Sequence, residues 1–381
     1  MENQLLGLSR KRANELIHEH QAALRAQSRR AAAGQKMPEF YFDYVESPKI
    51  NAWACFNPNP NVWCGFIGIY TGAVTLVYDV FYRMLAHPEI FPTIGDASAE
   101  SVRPPFATEG IYSSYATLLK SRARSERAIA NVLPKDGRRR TYAERLARIA
   151  LDFFITHELS HITYGHCQYS TARGLSLLME RRKTSQKLPP LVSQALEFHA
   201  DASAALETWK LHLEGPTNQQ RIIRGTLENG ARLVVTEELL MFDWVVAVFV
   251  MFWMLGQITD PNALLTESHP PPSERVMAAM ADVYGWLKKT ASQERRDWFD
   301  QARLRAFRSA SDALNTLTTG QFLPNLDAYL RLHNDGVIVD HYRSVEATMQ
   351  KIIPDVKKFA HCEFNYRFQV TADLPTEVGA L

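Results

Sequence analysis

His157-Glu158-Leu159-Ser160-His161 concentrates more potential chemistry than any other five residues of the chain. Histidines four apart on a helix project from one face, so both imidazoles can reach a single ion about 2.0–2.1 Å away. Glu158, one residue past the first histidine, is placed to take a proton from a water on that ion rather than to bind the ion itself. The chemistry this spacing predicts is zinc-assisted hydrolysis, with one zinc per chain.

A catalytic zinc takes three protein ligands and keeps a position open for water. One known arrangement wants Gly three and His six residues after the second histidine. Tyr164 and Cys167 stand there, with Gly165 and His166 one residue out of step. On a continuous helix His166 also lies about 140° around from His161, which makes it a poor co-ligand. Glu197-Phe198-His199-Ala200-Asp201 offers a better third ligand. On a helix Glu197 and Asp201 share a face, so Glu197 completes the ligand set while Asp201 orients a histidine through its other ring nitrogen. His199, two residues from Glu197, is expected to point away. The competing reading is an acidic helix face that binds nothing.

These residues need rigid elements. Thr141 and Glu144 stand in capping-box spacing ahead of an apolar run, predicting a helix that carries both histidines to about Gly165. A second helix is predicted from about Leu191 past Leu206, a third from near Arg221 through residue 255, and another from Ser273. Residues 62–78 read as a buried strand turning into a helix. Residues 1–36 read as an Ala- and Arg-rich helix ending near Gly34, its basic face solvated, with a membrane surface or partner as the alternative. Residues 244–255 are twelve apolar residues, short of the ~20 a membrane span needs, and read as a buried helix rather than an insertion.

Composition sets outer limits. The chain has 381 residues, 46% of them hydrophobic, and a formal charge of +2. That is ordinary for a globular protein and gives no case for nucleic acid. Arg138, Arg139 and Arg140, with the basic residues 120–127, lack interleaved aromatics and read as a solvated loop and helix face. Four cysteines without CxxC spacing, and no export signal, predict free thiols and a cytoplasmic protein, with membrane association less favoured.

Four segments, in order, resemble the HtpX-like gluzincin peptidases, the group that includes the CAAX prenyl proteases. They are Ile50-Asn51-Ala52 with Ile69-Tyr70-Thr71-Gly72; HELSH with His166; LEFHADASA; and Ser268-His269-Pro270-Pro271-Pro272-Ser273-Glu274-Arg275. The resemblance covers residues 40–285. It implies that Asn51 and Ala52 lie on a sheet edge that receives substrate as an added strand, and that His269 and Arg275 approach the zinc and stabilise the oxyanion. The spanning helices frequent in that family are missing from this sequence. The Lit-type phage-exclusion peptidases, intracellular HExxH proteins that cleave a specific host protein, share the zinc motif and the general size.

The expected fold is mainly α with a small β-sheet, a zincin-like metallopeptidase domain with helical additions. Residues 1–36 form the basic helix, 37–290 the peptidase domain and 291–381 a helical extension of unassigned role. The expected function is a zinc endopeptidase acting on a protein or peptide. A zinc-stabilised binding module and a membrane-surface scaffold are the non-enzymatic alternatives, and oligomeric state is not legible.

Overall fold

The computed structural model describes residues 2–27, 38–47, 50–57, 59, 63–102, 132–173, 178–179, 188–214, 225–226, 232–233, 237–255, 269–270, 272–318 and 336–362. The architecture is mainly helical with a small mixed sheet. Strands β1 (Glu39–Val45), β2 (Ala52–Asn57), β3 (Cys64–Tyr70) and β4 (Leu178–Met179) lie in the order β1-β3-β2-β4. β1 runs parallel to β3, while β2 is antiparallel to both neighbours. β3 passes directly into helix α2 (Thr71–Leu85), as the run 62–78 predicts.

Helix α3 (Gly137–Thr163) is the spine of the molecule. It starts four residues before the predicted Thr141, because Asp136 caps it, its side chain accepting from the Arg139 N–H at 2.9 Å. Thr141 instead bonds back to the Gly137 carbonyl inside the first turn, and Glu144 accepts from the Tyr82 hydroxyl. The solvated reading of the arginine triplet also fails at its centre. Arg139 is fully buried and donates to the carbonyls of Leu85, His87, Ile90, Phe91 and Ile94 at 2.6–2.9 Å. One guanidinium thereby satisfies the carbonyls that α2 and its following turn leave without helix partners.

α3 ends at Thr163, and Gly165, with a φ of +78°, turns the chain into the short helix α4 (His166–Thr171). Glycine is required there twice over. A left-handed backbone disfavours other residues, and an added Cβ would come within 2.6 Å of the Phe359 backbone. Helix α5 (Pro190–Trp209) packs across α3, with proline at its first position.

Helix α6 (Glu237–Leu255) contains the apolar run. It starts well after Arg221, because residues 225–226 and 232–233 pair as a short ladder, β5 and β6. α6 has the length and composition of a membrane span, yet 83% of its most apolar window is buried within the protein. It packs against α3, α7 (Pro272–Thr290) and α8 (Gln293–Thr318), and each large apolar side chain removed from water there contributes about 1.5–3 kcal/mol.

The ends of the chain pack on the same body. Helix α1 spans Glu2–Gln27, and residues 28–37, where the expected end near Gly34 falls, lie outside the described residues. Its apolar side, with Ala13, Leu16, Ile17 and Leu24, is buried. Its basic face is only partly solvated, since Arg12 forks onto the buried Asp152 of α3 at 3.0–3.2 Å. Helix α9 (Gly336–Val356) packs on α5, and residues 120–127 lie outside the described residues.

Candidate metal centre

Two turns of α3 and one of α5 face each other at the centre of the molecule. Nε2 of His157 and Nε2 of His161 are 3.0 Å apart. Glu197 brings one carboxylate oxygen to 3.3 Å from Nε2 of His157 and the other to 3.5 Å from Nε2 of His161. All three side chains are buried, and their donor atoms lie within 4.8 Å of one another. A tetrahedral ion with ligands about 2.0–2.1 Å away separates them by about 3.3 Å, close to these nearest-atom spacings, with the two Glu197 contacts made by different carboxylate oxygens. Two imidazoles and a carboxylate are also a donor set that divalent zinc accepts. The group can therefore hold a metal ion.

The two histidines are supported in different ways. Nδ1 of His157 is 2.9 Å from Oδ1 of Asp201. Asp201 is in turn gripped by Arg275, with Nε to Oδ2 at 2.7 Å and a terminal nitrogen to Oδ1 at 2.9 Å. Burial opposes ionisation of Asp201, but the Arg275 guanidinium and then His157 hold its carboxyl below the usual range. Glu197 behaves alike: burial opposes its charge, while His269, His161 and His157 hold it well below the ordinary value. Arg275 also lies 3.5 Å from Glu197, with its guanidinium carbon 5.0 Å from the centre of the Phe252 ring. The apolar run thus supplies the wall behind this arginine, a cation–π contact that a shorter side chain would lose.

On the other side, Nδ1 of His161 is 3.0 Å from Nδ1 of His166, and Nε2 of His166 is 2.9 Å from Nδ1 of His199. Both outer rings are fully buried. Burial pushes His166 well below its ordinary value, helped by the neighbouring His199 and His161, and takes His199 down to about 3. Helix phase leaves both outside the group that could hold a metal, but it does not foresee this contact. The left-handed turn at Gly165 breaks the helix and folds His166 back beneath His161, where a continuous helix would have carried it away. The signal was the Gly165-His166 pair itself, a helix stop directly followed by a ring.

Glu158 is 2% exposed on α3. The His269 side chain is 19% exposed, the most open of the group, with Nε2 3.8 Å from Glu197. Arg275 is 3% exposed and donates from two nitrogens to Asp201, so it lies among the buried carboxylates of the group rather than facing open space. The side chains of Asn51 and Ala52 are buried. The Asn51 carbonyl accepts from the Tyr70 N–H on β3, so by strand alternation the Ala52 N–H and C=O point to the opposite edge. β4 covers that edge at Trp53 and Ala54.

Sequence reasoning found no chemistry in the last sixty residues, yet α9 reaches this region. His341 is buried between Glu274 of α7, at 2.9 Å, and Gln194 of α5, at 2.8 Å, while the Tyr342 hydroxyl donates to the Glu274 carbonyl. The helix thereby ties the element carrying Arg275 to the element carrying Glu197. A cavity of about 680 Å³ bordered by Tyr142 and Phe242 lies roughly 22 Å along α3 from His157 and is separate from the centre.

Residues 112–291 match the family described as Peptidase U49, a stretch holding every residue of the centre from His157 to Arg275. The match supports a peptidase, a hydrolase acting on protein substrates. No curated protein and no solved structure matches the chain.

Proposed function

We propose that the protein is a zinc-dependent endopeptidase whose ion is held by His157, His161 and Glu197, one per chain. The observation that carries this reading is the convergence of two imidazole nitrogens and a carboxylate at 3.0–3.5 Å in a buried site, inside the stretch that matches a peptidase family. Zinc held there supplies a Lewis acid that polarises the scissile carbonyl and acidifies a water. Glu158 accepts the proton of the attacking water and delivers it to the leaving amine. His269, on the more open side, donates to the developing oxyanion. The β2 edge, through the Ala52 backbone, aligns an extended substrate beside the centre. Arg275 acts as a positioning residue, holding Asp201 against His157 and screening Glu197.

A zinc-stabilised binding module would need the ligands but no base, and Glu158 at the base position argues for chemistry. Within the enzymatic reading, the HtpX-like assignment gives the detailed roles of His269 and the β2 edge. The Lit-type role, an intracellular peptidase directed at one particular protein, is the alternative, and the Peptidase U49 match favours it. A cytoplasmic location, with membrane association less favoured, goes with this reading as part of the proposal.

The test is proteome-wide identification of new N-termini with wild type and Glu158→Gln. The amide keeps the shape but cannot take a proton, so cleavage should fall ~10²-fold or more while zinc is retained. Undiminished cleavage by the variant would remove Glu158 from the mechanism.

A further inference from the structure

Which ring nitrogen carries the proton is fixed at His157 by the carboxylate beside it. Asp201 accepts from Nδ1, so in the neutral ring that a metal ligand must be, Nε2 presents its lone pair to the point where the three donors converge. At His161 the neighbour of Nδ1 is an imidazole, His166, which either accepts or donates.

Each N···N contact needs one donor and one acceptor, so the row His161–His166–His199 has two self-consistent directions. In the first, Nδ1–H of His161 donates to Nδ1 of His166, and Nε2–H of His166 donates to Nδ1 of His199. Nε2 of His161 then presents a lone pair, as ligation requires. In the second, Nδ1–H of His199 donates to Nε2 of His166, and Nδ1–H of His166 donates to Nδ1 of His161. The proton of His161 then sits on Nε2, 3.0 Å from Nε2 of His157, where it blocks an ion. A doubly protonated His166 gives the same block, because it donates at both ends.

We propose that His166 and His199 are positioning residues that hold His161 in its Nδ1–H tautomer, an imidazole row doing for His161 what Asp201 and Arg275 do for His157. The inference rests on the metal reading above. Three features carry it: two successive contacts of 3.0 and 2.9 Å, complete burial of both outer rings, and the Gly165 turn that brings His166 against His161. Partners of the second ring nitrogen commonly set the tautomer, aim the lone pair and raise metal affinity.

The experiment measures zinc affinity by chelator competition on the full chain, for wild type, His166→Ala, His166→Asn and His199→Ala. His166→Ala should weaken binding about 10–100-fold, the usual range for such partners. His166→Asn should recover most of that loss, since its amide oxygen accepts from Nδ1–H of His161. His199→Ala should lose less than His166→Ala, being one ring further out. In histidine-labelled ¹⁵N spectra of the zinc-loaded wild type, the ring proton of His166 should sit on Nε2. Unchanged affinity in His166→Ala, or a His166 proton on Nδ1, overturns the inference while leaving the metal centre in place. A wild type that takes up no zinc overturns the metal reading itself. Should His166→Ala fail to fold, His166→Asn and the wild-type spectrum still decide.

Discussion

His157 and His161 sit on one face of one helix, yet they are supported by opposite kinds of chemistry. Behind His157 stands a charged arm, Asp201 and Arg275, with Phe252 beneath the guanidinium. Behind His161 stands a neutral arm of two imidazoles. The charged arm is self-compensating: the buried carboxylate meets a histidine on one side and a two-point arginine on the other, so neither charge is stranded. The neutral arm carries no charge to compensate, and its stake is only the direction of its hydrogen bonds. Rigidity on one side therefore comes from electrostatics, and on the other from proton placement.

The difference is broken most severely at Arg275. Arg275→Ala leaves Asp201 buried with its main cationic partner gone, and such a loss typically costs about 3–5 kcal/mol. Thermal or urea unfolding of the metal-free protein should show it. A change near zero would mean that Arg275 is not the partner that keeps Asp201 charged.

Asp201→Asn is gentler. The amide oxygen still accepts from His157, so the tautomer survives while the charge is lost, and zinc affinity should fall about 10–100-fold. Chelator competition reads this directly, and an unchanged constant would show that the charge of this arm is irrelevant to the metal.

A control elsewhere in the fold, away from both arms, sharpens the same point. Asp243 on α6 is as buried as Asp201, accepts from the Tyr142 hydroxyl and pairs with Arg145 at 3.0 Å, but that arginine is one-third exposed. Burial raises Asp243 from 3.8 to about 6, with Arg145 and Tyr142 offsetting only part of the cost. The folded state thus binds this proton more tightly than the unfolded chain. Its contribution to stability is present in full below 3.8, is lost as pH rises toward about 6, and is constant above that. The total is about 3 kcal/mol at most. Asp243→Asn should flatten this part of the stability–pH profile, as measured by urea unfolding at pH 4 and pH 7. A profile identical to wild type would contradict the raised value.

The convergence of His157, His161 and Glu197 was legible in the sequence because it depends on helix phase alone. His157 and His161 are one turn apart, Glu197 and Asp201 are one turn apart on a separate helix, and two strong apolar patterns fix the faces. The strand turning into α2 was legible for the same local reason. What was hidden depends on breaks in the periodicity or on long-range docking. Gly165 ends the spine and re-aims His166, which no phase argument on an unbroken helix can foresee. Arg139 looked like one of three solvated arginines, because the carbonyls it gathers come from a turn some fifty residues earlier. Arg275 was assigned to the substrate side through resemblance, and only three-dimensional packing shows Asp201 occupying its donors. His341 lies far along the chain from both its partners.

The central claim is that the two arms serve one metal ion. Elemental analysis of zinc-reconstituted, extensively dialysed protein tests it most directly. Wild type should hold about one zinc per chain, and His157→Ala, His161→Ala or Glu197→Ala should each lose most of it. Wild type without stoichiometric zinc, or the three variants all retaining it, would contradict the account.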